Sequence, residues 1–223
     1  MDVEAWLEQV SPAAVGSLGA ALSLVGSGLY LRGIRRGGTQ PHRGSWMVWT
    51  VIAVVAAASD GAAGGRWSLL VLGVQALGTL VVTAWALRHG IGWLTPTNLG
   101  MLALAAVGVL GWTTLTDPTA AAACAAAADA AGLVAMMPKT WADPFSETVS
   151  TYALAGVTGL LGALAVHAWT AALLYPVYFC LGNAATALAI ALRRRGCRVL
   201  HLADARHHDM DGLNRAVDHL RCC

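Results

Sequence analysis

The hydrophobic residues of this chain fall into separate runs of about 17 to 23 positions, divided by short polar segments. A run of this length forms an α-helix that crosses the ~30 Å hydrocarbon core of a bilayer. The pattern therefore predicts an all-α integral membrane protein with seven transmembrane helices. Because the connections are short, we expect consecutive spans to be antiparallel neighbours. The predicted spans cover residues 12–32, 45–62, 67–87, 98–115, 119–138, 148–166 and 169–192.

The composition supports a membrane protein. Hydrophobic residues make up 57% of the chain and charged residues 12%, whereas roughly a quarter of the residues are charged in an average soluble protein. The first apolar run begins at Pro12 after an acidic segment, without a basic region or a clear cleavage site, so we interpret it as a retained span and not as a signal peptide. We expect one multi-pass protein of a bacterial inner (plasma) membrane, with the lipid bilayer as its partner. The net charge of +2 gives no indication of nucleic-acid binding.

The basic residues indicate the orientation of the spans. If the N-terminus is outside, nearly all basic residues of the connecting segments lie inside, and only Arg66 lies outside. Cytoplasmic segments carry an excess of Lys and Arg, so the sequence predicts an N-out, C-in topology. The basic residues assigned to the cytoplasmic side are Arg32, Arg35, Arg36, Arg43, Arg88, Lys139, Arg193, Arg194, Arg195 and Arg198.

The two halves of the chain repeat weakly. Placing Gln75 opposite Asn183 aligns QALGT with NAATA, and placing Pro41 opposite Pro144 aligns TQP with ADP. Three spans thus recur as three spans, and the single span between them gives both copies the same orientation, as in parallel repeats. The predicted fold is a 3+1+3 arrangement. Its parts are an extracytoplasmic segment 1–11, a first repeat 12–92, a linker helix 93–118, a second repeat 119–196 and a cytoplasmic tail 197–223.

Two features of the second half are similar to a known family. MPKTWADP at Met137–Pro144 is similar to the proline-led end of a PQ-loop repeat, and Asn183 stands where the last helix of a SWEET protein carries a pocket asparagine. On these residues the chain resembles the SWEET and PQ-loop superfamily, in the form of its small bacterial members. The resemblance implies seven helices in a 3+1+3 order and a small-solute carrier.

Asp129 is the one ionisable residue in the middle of the apolar segment from Thr119 to Pro138. A charged side chain is costly in hydrocarbon, so an intramembrane acid is by default a candidate functional residue. The surrounding alanines and glycines leave room for a cavity or a ligand and give the carboxyl group no partner on its own helix. The alternative interpretation is an acid that hydrogen-bonds one helix to another.

The seventh span offers polar partners for Asp129. Tyr175, Tyr178 and Asn183 share one broad face at helical spacing. Gln75 occupies the position in the third span that corresponds to Asn183, so the two amides would approach one central pocket from opposite sides. These residues, together with a tryptophan of the second span, form the predicted substrate site. Helix packing remains the alternative role for the tyrosines and the asparagine.

Residues near the predicted cytoplasmic ends carry a second set of expectations. Trp46 and Trp49 enter the second span beside the basic loop, where anchoring among lipid headgroups is the favoured interpretation, and Trp49 is also assigned to the substrate site. Glu147 and Asp143 lie beside Lys139 on the same side. A charge cluster that joins the two repeats explains both acids, and so does the preference of helix starts for acidic residues.

Three functions remain open. The favoured one is a carrier with a small-solute site at Asp129. The second is an intramembrane enzyme, such as a terpene cyclase in which Asp129, Asp60 or both protonate an isoprenoid substrate. The third is a membrane scaffold. We predict no cofactor, and no metal site because the cysteines and histidines lack metal-site spacing; assembly into a homo-oligomer stays open. The aromatic residues assigned to a cyclase cavity are Trp46, Trp49, Trp112, Tyr175, Tyr178 and Phe179.

Overall fold

The computed structural model describes residues 11–62, 66–92, 96–164 and 173–208. Over these residues the all-α class is confirmed: the chain forms seven α-helices and one isolated bridge between His42 and Ile91, with no β-strand. Most of the predicted N-terminal segment and of the predicted tail lies outside the described residues. The elements are α1 (Pro12–Arg35), α2 (Arg43–Ala62), α3 (Trp67–His89), α4 (Pro96–Thr114), α5 (Pro118–Ala142), a 3-10 turn (Pro144–Ser146), α6 (Val149–Leu164) and α7 (Leu174–His208).

The apolar surface of the helices indicates a membrane-embedded protein. Large apolar side chains point outward, and Leu24, Leu77 and Val107 are 66%, 65% and 64% exposed. Exposed apolar surface on this scale marks contact with lipid or with another protein. α2, α4 and α6 contain shorter apolar stretches. The four stretches that are long and apolar enough to cross a membrane are Pro12–Arg35, Trp67–His89, Thr119–Ala142 and Leu174–Val199.

The helices do not pack in simple chain order. α1 packs against α3 and α6 more extensively than against α2, while α2 packs against α3 and α5. α7 packs against both α5 and α6, and α4 covers α5 and part of α2. The expectation that every consecutive pair of spans would be close neighbours is therefore wrong, among the described residues, for α1 and α2, for α3 and α4, and for α5 and α6.

Glycines explain the close approach of two pairs of helices. A Cβ atom added to Gly16 of α1 would lie 2.8 Å from the Cβ of Trp67 at the start of α3. Between α6 and α7, a Cβ atom on Gly159 would lie 2.6 Å from the backbone nitrogen of Cys180. Small residues permit such backbone contacts between membrane helices. The glycine-rich face of α1 thus packs against α3.

Two helices extend beyond the predicted spans. α5 continues past Pro138 to Ala142, and α7 continues through Arg193–Arg195 to His208. Hydropathy marks where an apolar stretch ends, but arginine, leucine and alanine remain strong helix formers in water. Pro138 lies near the end of α5, where its missing N–H removes one backbone hydrogen bond. The predicted boundaries are therefore those of the apolar stretches and not of the helices.

The ends of several helices meet at one end of the bundle, which we call the basic end. α1 ends there, α2 begins there, and α3 and α5 end there. Arg43 at the start of α2 donates from Nε to the carbonyl oxygen of Ala86 on α3 at 3.2 Å. Lys139 near the end of α5 donates from Nζ to the carbonyl oxygen of Gln40, before α2. The basic side chains of this end include Arg35, Arg43, Arg88, Lys139 and Arg194.

Candidate functional site

A cavity of about 230 Å³ lies among α1, α2, α3, α5, α6 and α7. Most of its wall is apolar, and a small number of polar side chains project from the helices that surround it. A mainly apolar concave site with few polar groups is the usual composition of a small-molecule site. Five residues assigned to the site from the sequence line this cavity: Asp129, Asn183, Gln75, Tyr175 and Trp49.

Asp129 reaches the cavity from the middle of α5. The residue is 4% exposed, and its Oδ2 accepts a hydrogen bond from the Tyr178 hydroxyl at 2.9 Å. Tyr178 thus contacts the carboxyl group directly, although it is not among the residues that line the cavity. The alanines around Asp129 have small side chains, so neighbouring helices can pack close to α5 at this position.

Trp49 joins α2 to α5 beside Asp129. Its Nε1 donates to the backbone carbonyl oxygen of Asp129 at 3.3 Å, and a Cβ atom on Gly132 would lie 2.6 Å from that nitrogen. The indole of Trp49 makes an edge contact with that of Trp46, which is 5% exposed. Both tryptophans therefore pack inside the bundle, and the headgroup-anchor interpretation is wrong for them.

Other parts of the cavity wall come from α7 and α3. The Asn183 side chain is almost buried and donates from Nδ2 to the carbonyl oxygen of Phe179 at 2.9 Å. The rings of Tyr175 and Phe179 stack with their centroids 5.9 Å apart. Gln75 projects from α3 and is half-buried. The two amides that correspond in the sequence repeat therefore lie on the wall of the same cavity.

Not every residue assigned from the sequence belongs to this cavity. Asp60 lies in α2, but its side chain falls outside the described part of the chain. Trp112 packs against the buried cluster of Val48 and Ile52 and does not line the cavity. Within the described residues, no group of three or more His, Cys, Asp or Glu side chains is placed to hold a metal ion.

A second polar group, at the basic end, was not assigned to a site from the sequence. Glu147 is 1% exposed, and its Oε1 forms an ion pair with Lys139 Nζ. Its Oε2 accepts hydrogen bonds from the hydroxyls of Tyr30 at 2.9 Å and Tyr152 at 3.0 Å. The Trp46 indole donates in turn to the Tyr30 hydroxyl at 3.0 Å. We call these five residues the Glu147 cluster.

The Glu147 cluster fastens together segments that are far apart in the sequence. Lys139 Nζ donates to the carbonyl oxygens of Gln40, in the first loop, and Ser146, in the 3-10 turn. The guanidinium group of Arg194 on α7 donates to the carbonyl oxygen of Glu147. The buried charges are therefore paired and hydrogen-bonded, which is the condition under which buried charges are tolerated.

The two acids of this region have different roles. Glu147 forms the charge cluster that the sequence suggested, with contacts to α1 and α5. Asp143 instead caps the 3-10 turn, because its Oδ1 accepts from the backbone nitrogen of Phe145 at 3.0 Å. Each of the two interpretations offered by the sequence thus applies to one residue. The available signal for the pair was Lys139 and Glu147 on either side of a proline turn.

The cavity and the Glu147 cluster share part of their structure. Trp46 and Tyr152 line the cavity and also belong to the cluster. The cluster therefore forms the floor of the cavity at the basic end. Its buried side-chain nitrogen and oxygen atoms all have partners, as do all such atoms in the described part of the chain. Open space lies instead in the cavity beside Asp129.

Comparison of the chain with protein-family models, curated proteins and solved structures found no match. A carboxyl group, two amides and several aromatic rings line one cavity. Such a set can hydrogen-bond a small solute, exchange a proton with it and stabilise a positive charge against the rings.

Proposed function

We propose that the chain is a polytopic membrane carrier whose small-solute site is the cavity beside Asp129. The observation that carries the proposal is the position of the cavity, which lies between two groups of three helices and above the closed Glu147 cluster. A carrier needs a central site that opens to one side of the membrane at a time. A cavity that is closed at the basic end fits one of those conformations.

The helix contacts support seven spans in a 3+1+3 arrangement with parallel repeats. When α5, α6 and α7 take the places of α1, α2 and α3, the α1–α3 contact corresponds to α5–α7, and the α2–α3 contact to α6–α7. The α1–α6 contact corresponds to α5–α2 in the same exchange. α4 has no counterpart and acts as the linker. This pattern agrees with the weak sequence repeat and supports the proposed relationship to SWEET and PQ-loop carriers.

We propose that the basic end faces the cytoplasm, which gives an N-out, C-in topology. The support is the concentration of arginine and lysine at this end, because cytoplasmic segments of membrane proteins are enriched in both. Arg193 begins the basic run of α7 about 30 Å from Leu174, at ~1.5 Å per residue. This distance matches the thickness of the hydrocarbon core. In this topology the cavity is closed toward the cytoplasm.

The polar groups of the cavity suit a carrier because they belong to both halves. Asp129 and Asn183 come from the second group of three helices, and Gln75 from the first. Asn183 already uses Nδ2 for the Phe179 carbonyl, which leaves its amide oxygen for a solute. If one group rocks against the other, the distance between Gln75 and Asn183 changes and the solute exchanges its partners.

Uptake by proteoliposomes tests the carrier. We would reconstitute the wild type, Asp129→Asn and Asp117→Asn, and offer a panel of labelled sugars, amino acids and small amines. Asp117 caps α5 by accepting from the backbone nitrogen of Ala120 at 2.7 Å, outside the cavity. Asparagine is an equally good N-cap, so Asp117→Asn is a matched control for the same chemical change.

The carrier predicts uptake of at least one solute by the wild type and by Asp117→Asn, with most of the uptake lost in Asp129→Asn. No uptake of any solute by folded wild-type protein would refute it. Equal uptake by Asp129→Asn and the wild type would show that the carboxyl group of Asp129 is not needed for uptake. A cellular phenotype that survives Asp129→Leu would instead favour the membrane scaffold.

The aromatic wall favours one second function, an acid-initiated terpene cyclase. Trp49, Tyr175 and Phe179 line the same space as Asp129. A protonated Asp129 would donate its proton to an isoprenoid double bond, the rings would stabilise the carbocation, and loss of a proton to a base would end the reaction. Incubation of membranes with prenylated substrates, followed by mass spectrometry for a product of unchanged mass and altered retention, tests this. Unreacted substrate across the panel would reject it.

A further inference from the structure

The charges around the cavity are unbalanced. Asp129 is the one acidic residue on its wall, and no Lys, Arg or His side chain of the described residues joins it there. The hydrogen bond to its Oδ2 comes from the Tyr178 hydroxyl, which is a neutral group. Lys139, ten residues further along α5, is paired with Glu147 and does not line the cavity. An acid inside a membrane is normally paired, and none of the described side chains on this wall supplies a cation.

Aromatic rings surround the same space. Trp49 donates to the backbone oxygen of Asp129, so its ring lies beside the carboxyl-bearing residue. Tyr175 and Phe179 present stacked rings from α7, and Trp46 stands at the floor of the cavity. A cation over an aromatic face is attracted by the ring, most strongly by tryptophan and in a site without water. The rings therefore add to the attraction of the carboxyl group for positive charge.

The remaining wall limits the kind of cation. Side chains such as Leu22, Ile52, Val71 and Leu133 make most of it apolar. Hard metal cations require several oxygen ligands, and the described wall offers a single carboxylate with scattered hydroxyls and amides. The volume of about 230 Å³ also requires a ligand with an apolar body to fill it. An organic cation meets both conditions and a metal ion meets neither.

We propose that the ligand of this cavity is a small organic monocation, with its ammonium group at Asp129 and its apolar or aromatic body against Trp49, Tyr175 and Phe179. The inference rests on the proposed function in taking the cavity as the substrate site, and it names the class of solute. It applies to binding and does not depend on whether the bound cation is transported.

The test compares two probes of the same size and different charge. Benzylamine is protonated at neutral pH, and benzyl alcohol is its uncharged counterpart. Binding to purified protein in nanodiscs of zwitterionic lipid is measured by calorimetry, with empty nanodiscs as the blank. A charge-assisted hydrogen bond in place of a neutral one predicts at least about tenfold tighter binding of benzylamine to the wild type. This comparison requires no variant.

Two substitutions locate the preference. Asp129→Asn should abolish the difference between the probes, and Asp117→Asn should retain it. Phe179→Leu keeps the wall apolar and removes one ring face, so benzylamine should bind about twofold to fivefold more weakly while benzyl alcohol is little affected. Phe179 contributes no side-chain hydrogen bond, which makes this variant a mild change.

The outcomes separate the ligand class from the carrier. Equal affinity for the two probes in the wild type, or a preference that survives in Asp129→Asn, would overturn the inference, even if proteoliposomes take up uncharged solutes. A preference that depends on Asp129 would support it, even if no amine is taken up. If amines bind in this way but are not taken up, the ligand class is supported and only the proposal of a carrier is contradicted.

Discussion

Glu147→Gln should destabilise the protein by removing one charge from a buried ion pair. In the wild type, the Glu147 side chain is 0% exposed and that of Lys139 is 9% exposed. Glutamine keeps an oxygen that can accept from the hydroxyls of Tyr30 and Tyr152, and its size is nearly unchanged. The loss is therefore mainly electrostatic, because the ammonium group of Lys139 stays at the site without its counter-ion.

The magnitude follows from the burial of the pair. Removing one partner of a buried ion pair costs about 3–5 kcal/mol, since the other charge remains in a poorly solvated place. Lys139 retains slight exposure at the basic end, so we expect a value near the lower limit, about 3 kcal/mol of unfolding free energy. Replacing both partners, as in Lys139→Met with Glu147→Gln, removes both charges and should cost less than Glu147→Gln alone.

A denaturant titration in detergent micelles, followed by tryptophan fluorescence, measures these differences. Asp143→Asn is the matched control, because asparagine also caps and the side chain makes no ion pair in the described structure; we expect it within about 0.5 kcal/mol of the wild type. A Glu147→Gln protein as stable as this control would refute the reasoning. Losses that simply add in the double variant would do the same, because they would show that the two charges do not interact.

Other substitutions test neighbouring contacts in the same titration. Tyr30→Phe removes a donor to the carboxylate and leaves an indole N–H without its acceptor, so its cost of about 2–3 kcal/mol should exceed the ~1.5 kcal/mol of Tyr152→Phe; equal losses would contradict the network. Gly92 has φ +82°, and a Cβ atom there would overlap the His42 ring, so Gly92→Ala should cost at least about 1–2 kcal/mol. Gly28→Ala, at an open helical position, should be neutral or stabilising by up to ~1 kcal/mol. If Gly28→Ala and Gly92→Ala lost similar unfolding free energy, the positive φ and the close His42 contact of Gly92 would be contradicted.

The number and approximate places of the helices could be predicted because each coincides with an apolar run. Their ends could not, because the ends of α5 and α7 depend on helix propensity and on tertiary contacts rather than on hydropathy. Arg194 illustrates this: the sequence assigns it only to the cytoplasmic side, whereas in the structure its guanidinium group donates to the carbonyl oxygens of Pro144 and Glu147. The packing of α1 beside α3 likewise depends on which glycine faces which neighbour.

The candidate site was only partly readable from the sequence. Asp129 is conspicuous as an acid in an alanine-rich run, and helical spacing alone puts Tyr178 on a face that can reach α5. The role of Asp129 in function stays a prediction. For Glu147 the sequence left a charge cluster and an ordinary helix-start acid open, because the residue follows a turn where an acid is common and its partner Tyr30 lies 117 positions away. Such a long-range contact becomes visible only when the helices are assembled.

The length of α7 gives the molecule a mechanical link between its two polar regions. Tyr178 on this helix holds Asp129, and Arg194 on the same helix holds the backbone of Glu147. The two contacts are about 24 Å apart at ~1.5 Å per residue, with continuous helix between them. Because the helix between them is continuous, α7 cannot tilt or slide at one of these contacts without straining the other. Displacement of Tyr178 by a ligand would thus move α7 and strain the contact between Arg194 and the backbone of Glu147 at the basic end.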